Sequence, residues 1–236
     1  MISAPAVSSG GSKLRCGANV LLFSVTLAEL TFLLLQTATF TFVDWIYVSQ
    51  HLLVLVIAFT RHQPVAQDYS LPTSVAVVVS YAYPYAQVAL LQRLPGEEGW
   101  PMGGLVLVTI AAFLSVASLL TLRKSFGIRP ALRGLVTAGP YRLVRHPIYL
   151  SYAIGDVGYN LQEWNYGTLL LTLAGWVSLF YRIHAEERVL SGDPGWQTYV
   201  ATVPRRVLPL PRLWNSPTDQ SSLPGQTARH QARRAH

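Results

Sequence analysis

Long apolar stretches separated by short polar connectors dominate the first half of the chain. Four of them, at residues 18–40, 42–60, 71–92 and 103–122, are each close to the ~20 residues that a helix needs to cross a bilayer. Prolines and glycines in the connectors indicate turns between helices. The pattern therefore predicts four transmembrane helices.

Two shorter apolar stretches follow, at residues 147–161 and 166–181, with a polar turn at 160–167 between them. At ~1.5 Å per residue, each would form a helix of roughly 23 Å, shorter than the ~30 Å hydrocarbon core. We expect a helical hairpin that enters the membrane and returns to the same side. The arginine-rich segment 123–146 before it is expected at the membrane interface.

Composition and charge support a membrane protein. The chain is 51% hydrophobic and only 12% charged, which is unusual for a soluble domain. With a cytoplasmic N-terminus, every lysine and arginine except Arg93 falls on the cytoplasmic side, as the positive-inside rule requires. Both termini are therefore expected in the cytoplasm. The net charge of +7 does not indicate nucleic-acid binding, because the charges follow the membrane topology.

The basic stretch at residues 139–149 combines arginines, a histidine and tyrosines in an apolar protein. Pro147 suits the first position of a helix, so a helix is predicted to begin there. Its free N–H groups would face the membrane surface beside Arg145 and His146, which makes an anion site, with Tyr149 one turn further in. The alternative is that the arginines only anchor a membrane helix.

Glu186 and Glu187 follow the second helix of the predicted hairpin. The hairpin returns them to the same side as Arg145 and His146, so the two groups would face one cytosolic pocket. Such a pocket suits a ligand with both a negative and a positive group. The alternative is a solvated helix face, with Glu186 paired to Arg182 one turn away.

The Arg-His-Pro-x-Tyr motif at 145–149, the Glu-Glu-x-x-Leu motif at 186–190 and the following Tyr199…Pro209 resemble the isoprenylcysteine carboxyl methyltransferase and phospholipid methyltransferase superfamily. The resemblance covers residues 119–210 and implies an integral membrane enzyme that uses S-adenosylmethionine. It implies these cofactor-site residues: Arg145, His146, Tyr149, Glu186 and Glu187. The catalytic residue is not assigned, and His146 and Arg205 are the candidates.

The chemistry of these residues agrees with the resemblance. Arg145 at the helix start suits the cofactor carboxylate, the glutamates suit its ammonium or ribose, and a tyrosine face suits its sulfonium. A carboxylate acceptor would need no general base. An amine acceptor must first lose a proton, and His146 or His184 could assist. No metal site is predicted.

Polar residues at membrane depth mark a possible path for an acceptor that enters from the bilayer. The alternative is that they satisfy one another inside the bundle. The small residues Ser151, Gly155 and Gly158 are predicted to let another helix approach closely. The path candidates are Glu29, Gln50, His51, Tyr81, Pro84, Tyr85, Tyr152 and Asp156.

The sequence thus predicts an all-α, polytopic membrane protein that methylates a lipid or lipid-linked acceptor. The acceptor group, a carboxylate or an amine, stays open, and the oligomeric state is not predicted. The alternatives are an NADPH-dependent oxidoreductase like the sterol reductases and a non-catalytic membrane sensor or scaffold. The predicted regions are a disordered cytoplasmic N-terminus at 1–17, transmembrane helices at 18–122, a catalytic region at 123–214 and a disordered basic tail at 215–236.

Overall fold

A computed structural model describes residues 12–36, 41–94 and 96–208 of the chain. The predicted basic tail at 215–236 lies outside these residues. Within them, the chain forms seven α-helices: α1 (Ser12–Gln36), α2 (Phe42–Thr60), α3 (Leu71–Arg93), α4 (Pro101–Leu122), α5 (Pro147–Gln162), α6 (Tyr166–Leu190) and α7 (Trp196–Thr202). Helix α1 begins at Ser12, within the segment 1–17 for which we predicted disorder. A helix can begin before its apolar stretch, because polar residues also adopt helical conformation.

Three helices are long and apolar enough to cross a membrane, namely α3, α4 and α6. Helices α1 and α2 contain shorter apolar segments, Phe23–Leu35 and Asp44–Thr60. The prediction of a helical membrane protein is therefore confirmed, whereas the count of four spanning helices is not. The side of the membrane that each end faces stays a prediction.

The predicted hairpin is unequal. Helix α5 has 16 residues, close to the prediction, but α6 has 25 residues and is long enough to span. The predicted end at residue 181 was too early because apolar character stops there while good helix formers continue to Leu190. Hydropathy marks the part of a helix that sits in an apolar environment and does not mark its last residue.

Each hairpin helix packs mainly on an earlier helix. Helix α4 runs along α5, α3 runs along α6, and α1 packs on α2, which also contacts α4. Close approach of α4 and α5 depends on glycine, because a Cβ atom added at Gly158 would lie 2.8 Å from the Gly104 carbonyl oxygen. The predicted role of small residues on α5 is confirmed at this crossing.

Two short antiparallel strand pairs, which the sequence did not predict, tie the connectors together. Strand β1 (Ala66–Gln67) pairs with β3 (Ala131–Leu132), and β2 (Glu97–Glu98) pairs with β4 (Glu163–Trp164). The first pair joins the α2–α3 connector to the arginine-rich segment, and the second joins the α3–α4 and α5–α6 connectors. These pairings group the described connectors as the predicted topology requires, and the side of the membrane that each group faces stays a prediction.

A buried polar network joins α3, α5 and α6. Thr172 Oγ1 accepts hydrogen bonds from Gln87 Nε2 at 2.6 Å and from Asn160 Nδ2 at 2.9 Å. Thr168 Oγ1 donates to Asn160 Oδ1 at 3.0 Å. We call these four side chains the interhelical network, because each of them is bonded to a side chain or backbone group of another helix.

Candidate functional site

The start of α5 is held by the last described segment of the chain. Pro147 is the first residue of α5, as predicted, and both Arg145 and His146 before it are buried. Their backbone N–H groups donate to the carbonyl oxygens of Arg205 at 2.9 Å and Arg206 at 2.8 Å. The two stretches therefore lie side by side, which fixes the approach to the helix.

Glu187 joins these two stretches to α6. Its Oε1 accepts from Arg145 Nε at 2.9 Å and lies 3.2 Å from His146 Nε2, and its Oε2 accepts from Arg206 Nε at 2.9 Å. Arg145 also donates to the Val203 carbonyl oxygen at 3.0 Å. We call Glu187, Arg145, His146 and Arg206 the Glu187 cluster. Both carboxylate oxygens are engaged inside the cluster.

A cavity of about 70 Å³ lies beside the cluster and is lined by residues of both motifs, so we call it the motif cavity. Four of the five predicted cofactor-site residues line it, and Glu187 does not. Glu186 faces it, with Oε2 accepting from the Tyr149 hydroxyl at 2.9 Å. Neighbouring residues on a helix point ~100° apart, so the paired glutamates face different partners. The lining members of the predicted set are Arg145, His146, Tyr149 and Glu186.

Arg133 also lines the motif cavity, and the sequence reasoning missed it. It is buried, and its Nε has no hydrogen-bond partner among the described residues. Burial, and then the nearby charge of Arg61, lower the pKa of Arg133 to about 10, so it stays protonated at neutral pH. In the sequence it is one arginine among several in segment 123–146, and nothing there marks it as buried.

Two further tyrosines of the motif cavity, Tyr141 and Tyr199, were not predicted as site residues. Burial raises the pKa of Tyr199 to about 12, although the charge of Arg145 opposes the shift. Tyr199 therefore stays neutral and donates from its hydroxyl to the Tyr141 carbonyl oxygen at 2.8 Å. Burial likewise raises the pKa of Tyr141.

A second cavity of about 240 Å³ lies among the helices, and we call it the bundle cavity. Every residue of the predicted acceptor path lines it: Glu29, Gln50, His51, Tyr81, Pro84, Tyr85, Tyr152 and Asp156. The structure thus brings together polar residues from α1, α2, α3 and α5 that are far apart in the sequence. Their role in binding an acceptor stays a prediction.

The two carboxylates of the bundle cavity have partners within the bundle. Asp156 Oδ2 accepts from the Tyr83 hydroxyl at 2.8 Å and from Trp176 Nε1 at 2.7 Å. Glu29 Oε2 lies 3.6 Å from His51 Nε2. These two side chains therefore line a cavity and also have partners within the bundle, and a contact with an acceptor stays a prediction.

The two cavities share a wall, which consists of Tyr81, Phe126, Tyr152 and Arg182. Arg182 is buried and donates to Ser80 Oγ at 2.7 Å and to the Ile128 carbonyl oxygen at 2.8 Å. Its guanidinium carbon lies 5.4 Å from the ring centroid of Tyr81 and 5.4 Å from that of Tyr149. These contacts, rather than a pair with Glu186 on a solvated face, hold Arg182.

The other candidates for a chemical role lie away from both cavities. The Arg205 side chain is exposed, and His184 is exposed on α6 with its Nδ1 2.9 Å from the Phe180 carbonyl oxygen. Neither residue lines a cavity, whereas His146 lines the motif cavity. Of the three, only His146 is in a position to act on a ligand there.

Residues 101–192 match the family model described as phospholipid methyltransferase. The segment is therefore similar to a phospholipid methyltransferase domain. The match runs from the first residue of α4 to just beyond α6 and includes both motifs, so the resemblance seen in the sequence is confirmed. Comparisons with curated proteins and with solved structures give no match. Together with the apolar helices, the domain supports a membrane methyltransferase and leaves its acceptor open.

The matched segment does not build either cavity alone. The Glu187 cluster takes Arg206 from beyond the matched residues, and the bundle cavity takes Glu29, Gln50 and His51 from α1 and α2 before them. The motif-bearing helices thus supply most of the motif cavity, while helices outside the family match supply much of the polar lining of the bundle cavity.

Proposed function

We propose that the chain is an S-adenosylmethionine-dependent methyltransferase. The cofactor binds in the motif cavity and a lipid or lipid-linked acceptor binds in the bundle cavity. The observation that carries this proposal is the wall that the cavities share. Methyl transfer is an in-line displacement whose main requirement is alignment of donor and acceptor. Two sites on opposite faces of one wall of side chains meet this requirement when the wall side chains move apart.

The residues of the motif cavity suit this cofactor. When bound, S-adenosylmethionine supplies a methyl group carried on a sulfonium. Arg133, with a free Nε–H, would bind its carboxylate, and Glu186 would accept from its ammonium or ribose hydroxyls. The rings of Tyr149 and Tyr152, with centroids 6.2 Å apart, would face the sulfonium. This assignment replaces Arg145 with Arg133, because Arg145 is already paired in the Glu187 cluster.

The acceptor would enter the bundle cavity from the bilayer. A carboxylate acceptor needs no general base. An amine acceptor must lose a proton, and the histidines in position are His146 on the cofactor side and His51 on the acceptor side. The reductase alternative is not favoured, because the family match is to a methyltransferase.

Ligand binding to the detergent-purified protein tests the cofactor assignment. Wild-type protein is expected to bind labelled S-adenosylmethionine in preference to NADPH. Glu186→Gln should weaken binding about ten- to a hundred-fold, because a hydrogen bond to a charged group contributes about 1.5–3 kcal/mol. The matched control is Arg188→Gln, an exposed position on the same helix, which should change affinity less than about threefold.

Turnover with a membrane lipid extract tests the reaction. Label from the methyl group is expected in the lipid fraction, and mass spectrometry of that fraction identifies the acceptor. Binding of NADPH without binding of S-adenosylmethionine would favour the reductase instead. Cofactor binding with no transfer to any lipid would favour a sensor or scaffold.

A further inference from the structure

A further cavity of about 480 Å³ lies in a groove between α2 and α4, and we call it the α2–α4 groove. Neither the cofactor nor the acceptor of the proposed function uses it. Its apolar lining consists of Leu53, Val56, Ile57, Leu119, Leu120 and Leu122, and one end of it is basic. Such a lining fits an amphiphile with an anionic end.

The apolar part of the groove opens to the outside of the bundle. Val56 belongs to an apolar segment of α2 and Leu120 to a helix long enough to span a membrane, and both side chains are more than half exposed. Along α2 the lining runs from Leu53 to Thr60, roughly 10 Å at ~1.5 Å per residue. One leaflet of the hydrocarbon core is about 15 Å deep, so the groove follows most of that depth. Its apolar part therefore fits an acyl chain.

The groove ends at three exposed basic side chains, His62, Arg123 and Lys124, which we call the basic rim. The rim lies just beyond the C-terminal ends of α2 and α4, where their apolar stretches stop. No carboxylate among the described residues lines the groove or forms an ion pair with the rim. The rim is therefore available to an anion at the boundary of the hydrocarbon core.

The backbone brings the three rim residues together. Arg123 has a φ of 47°, in the left-handed region that residues other than glycine seldom adopt. Such strained positions persist where the surrounding structure fixes them, and they cluster at ligand sites. The backbone N–H of His62 donates to the Lys124 carbonyl oxygen at 2.9 Å, which joins the end of α2 to this turn.

The Arg123 side chain is held at the groove by one of its nitrogens. Its Nε donates to the carbonyl oxygen of Leu120, a groove residue, at 3.2 Å. No described residue pairs with its two terminal nitrogens. The guanidinium therefore keeps the donors with which arginine binds phosphate and carboxylate groups.

We propose that the α2–α4 groove binds one lipid with an anionic head group. The anionic group pairs with the basic rim, and an acyl chain lies along the apolar part. A soluble anion would use the rim alone. A zwitterionic lipid also carries a phosphate, but its ammonium opposes the attraction of the rim, so the site prefers a lipid with net negative charge. The proposal is independent of the proposed function, because no rim residue lines the motif cavity or the bundle cavity.

Binding of a labelled lipid to the full-length protein in a neutral detergent tests this proposal. The probe is phosphatidylglycerol with a fluorophore on one acyl chain, and its anisotropy is compared with that in protein-free micelles. Unlabelled phosphatidylglycerol should compete at least about tenfold more effectively than phosphatidylcholine with the same acyl chains. Glycerol 3-phosphate, the free anion, should not compete at the same concentrations.

Two pairs of variants locate the lipid. Arg123→Gln and Lys124→Gln should each weaken phosphatidylglycerol binding about fivefold and leave phosphatidylcholine unchanged. Arg142→Gln, at an exposed arginine outside the groove, should have less than a twofold effect.

The second pair tests the apolar part. Val56→Trp fills the groove and should weaken both lipids. Val78→Trp makes the same change at an exposed valine of α3 outside the groove and should weaken neither.

Four results would overturn the proposal, and each removes a different part of it. Equal affinity for the two lipids would remove the preference for negative charge. Equal losses for Arg142→Gln and the rim variants would reduce the effect to the overall charge of the protein. Full competition by glycerol 3-phosphate would make the site one for a soluble anion. Unchanged binding in Val56→Trp would separate the lipid from the groove.

Discussion

Two buried polar regions lie in this bundle, and they differ in one respect. In the interhelical network, the side chains of Gln87, Asn160, Thr168 and Thr172 meet partners on neighbouring helices. In the bundle cavity, Gln50, Ser115 and Arg182 each keep an atom that no other described residue pairs with. Polar character at membrane depth therefore does not by itself distinguish packing from function. Whether another side chain of the bundle meets the polar atom is the more informative observation.

Asp156 shows why the distinction is useful. From the sequence, a buried aspartate on a membrane helix suggests either a functional group or a packing device. It lines the bundle cavity, yet its Oδ2 accepts from both Tyr83 and Trp176. By its contacts Asp156 belongs with the partnered groups, and it holds the wall of the cavity in place.

The largest expected effect is at a charged, partnered group. Glu187→Gln would leave Arg145 and His146 buried without their counter-charge, and breaking a buried ion pair costs about 3–5 kcal/mol. The free energy of unfolding in detergent should fall by that amount, with cofactor binding reduced as a consequence. Arg188→Gln is the exposed control. A loss below about 1 kcal/mol for Glu187→Gln would mean that the cluster does not hold the site.

At Arg133, whose Nε has no hydrogen-bond partner among the described residues, the effect should appear in binding and not in folding. Arg133→Gln removes a buried charge with a free Nε–H, so the free energy of unfolding should be unchanged or should rise. Affinity for S-adenosylmethionine should fall by about 1.5–3 kcal/mol. The control is Arg142→Gln, an exposed arginine of the same segment. Reduced stability with unchanged cofactor affinity would place Arg133 among the structural groups.

At a neutral, partnered group, a substitution should lower the free energy of unfolding and leave cofactor binding unchanged. Thr172→Val removes the shared acceptor of Gln87 and Asn160, so each amide keeps one backbone acceptor and loses the partner of its other N–H. The expected loss in the free energy of unfolding is about 1–3 kcal/mol, with cofactor affinity unchanged. Thr31→Val makes the same change at an exposed threonine of α1 and should cost little. Equal losses for the two variants would contradict a special role for the network.

The smallest change in the free energy of unfolding is expected at Gln50. The pair Gln50→Leu and Gln87→Leu compares the two polar regions most directly. Gln50→Leu replaces an amide whose oxygen has no partner in the described part of the chain, so the free energy of unfolding should change by less than about 0.5 kcal/mol. Gln87→Leu is the same substitution in the network and should cost about 1–3 kcal/mol. Chemical unfolding of both variants in one detergent measures the difference. A similar loss for both would remove the distinction between the two regions.

The sequence predicts those parts of the site in which the type of a residue alone determines its local structure or its surroundings. Pro147 restricts the backbone so strongly that the start of α5 could be placed to the residue. The shared lining of the bundle cavity could be predicted because polar side chains are rare at membrane depth, so the few that occur tend to gather. Both signals are local and require no knowledge of how the helices pack.

The parts that were missed depend on packing. Adjacent glutamates look alike in the sequence, but the orientation of α6 turns Glu186 towards the cavity and Glu187 towards the cluster. Burial of Arg133 follows from the fold of segment 123–146, which has no periodic pattern to read. The two-residue strand pairs are fixed by which connectors meet at one end of the bundle, and so only the assembled structure reveals them.

The backbone pairing of Arg145 and His146 with Arg205 and Arg206 has a consequence for biosynthesis. Translation proceeds from the N-terminus, so the first helices of the bundle can enter the membrane before residue 206 exists. Until then, Glu187 lacks one of its cations, and the approach to α5 lacks both backbone acceptors. Insertion of those helices and completion of the Glu187 cluster are therefore separate events in time. A chain that stopped soon after α6 would contain the whole segment that matches the family and would still carry an unfinished site.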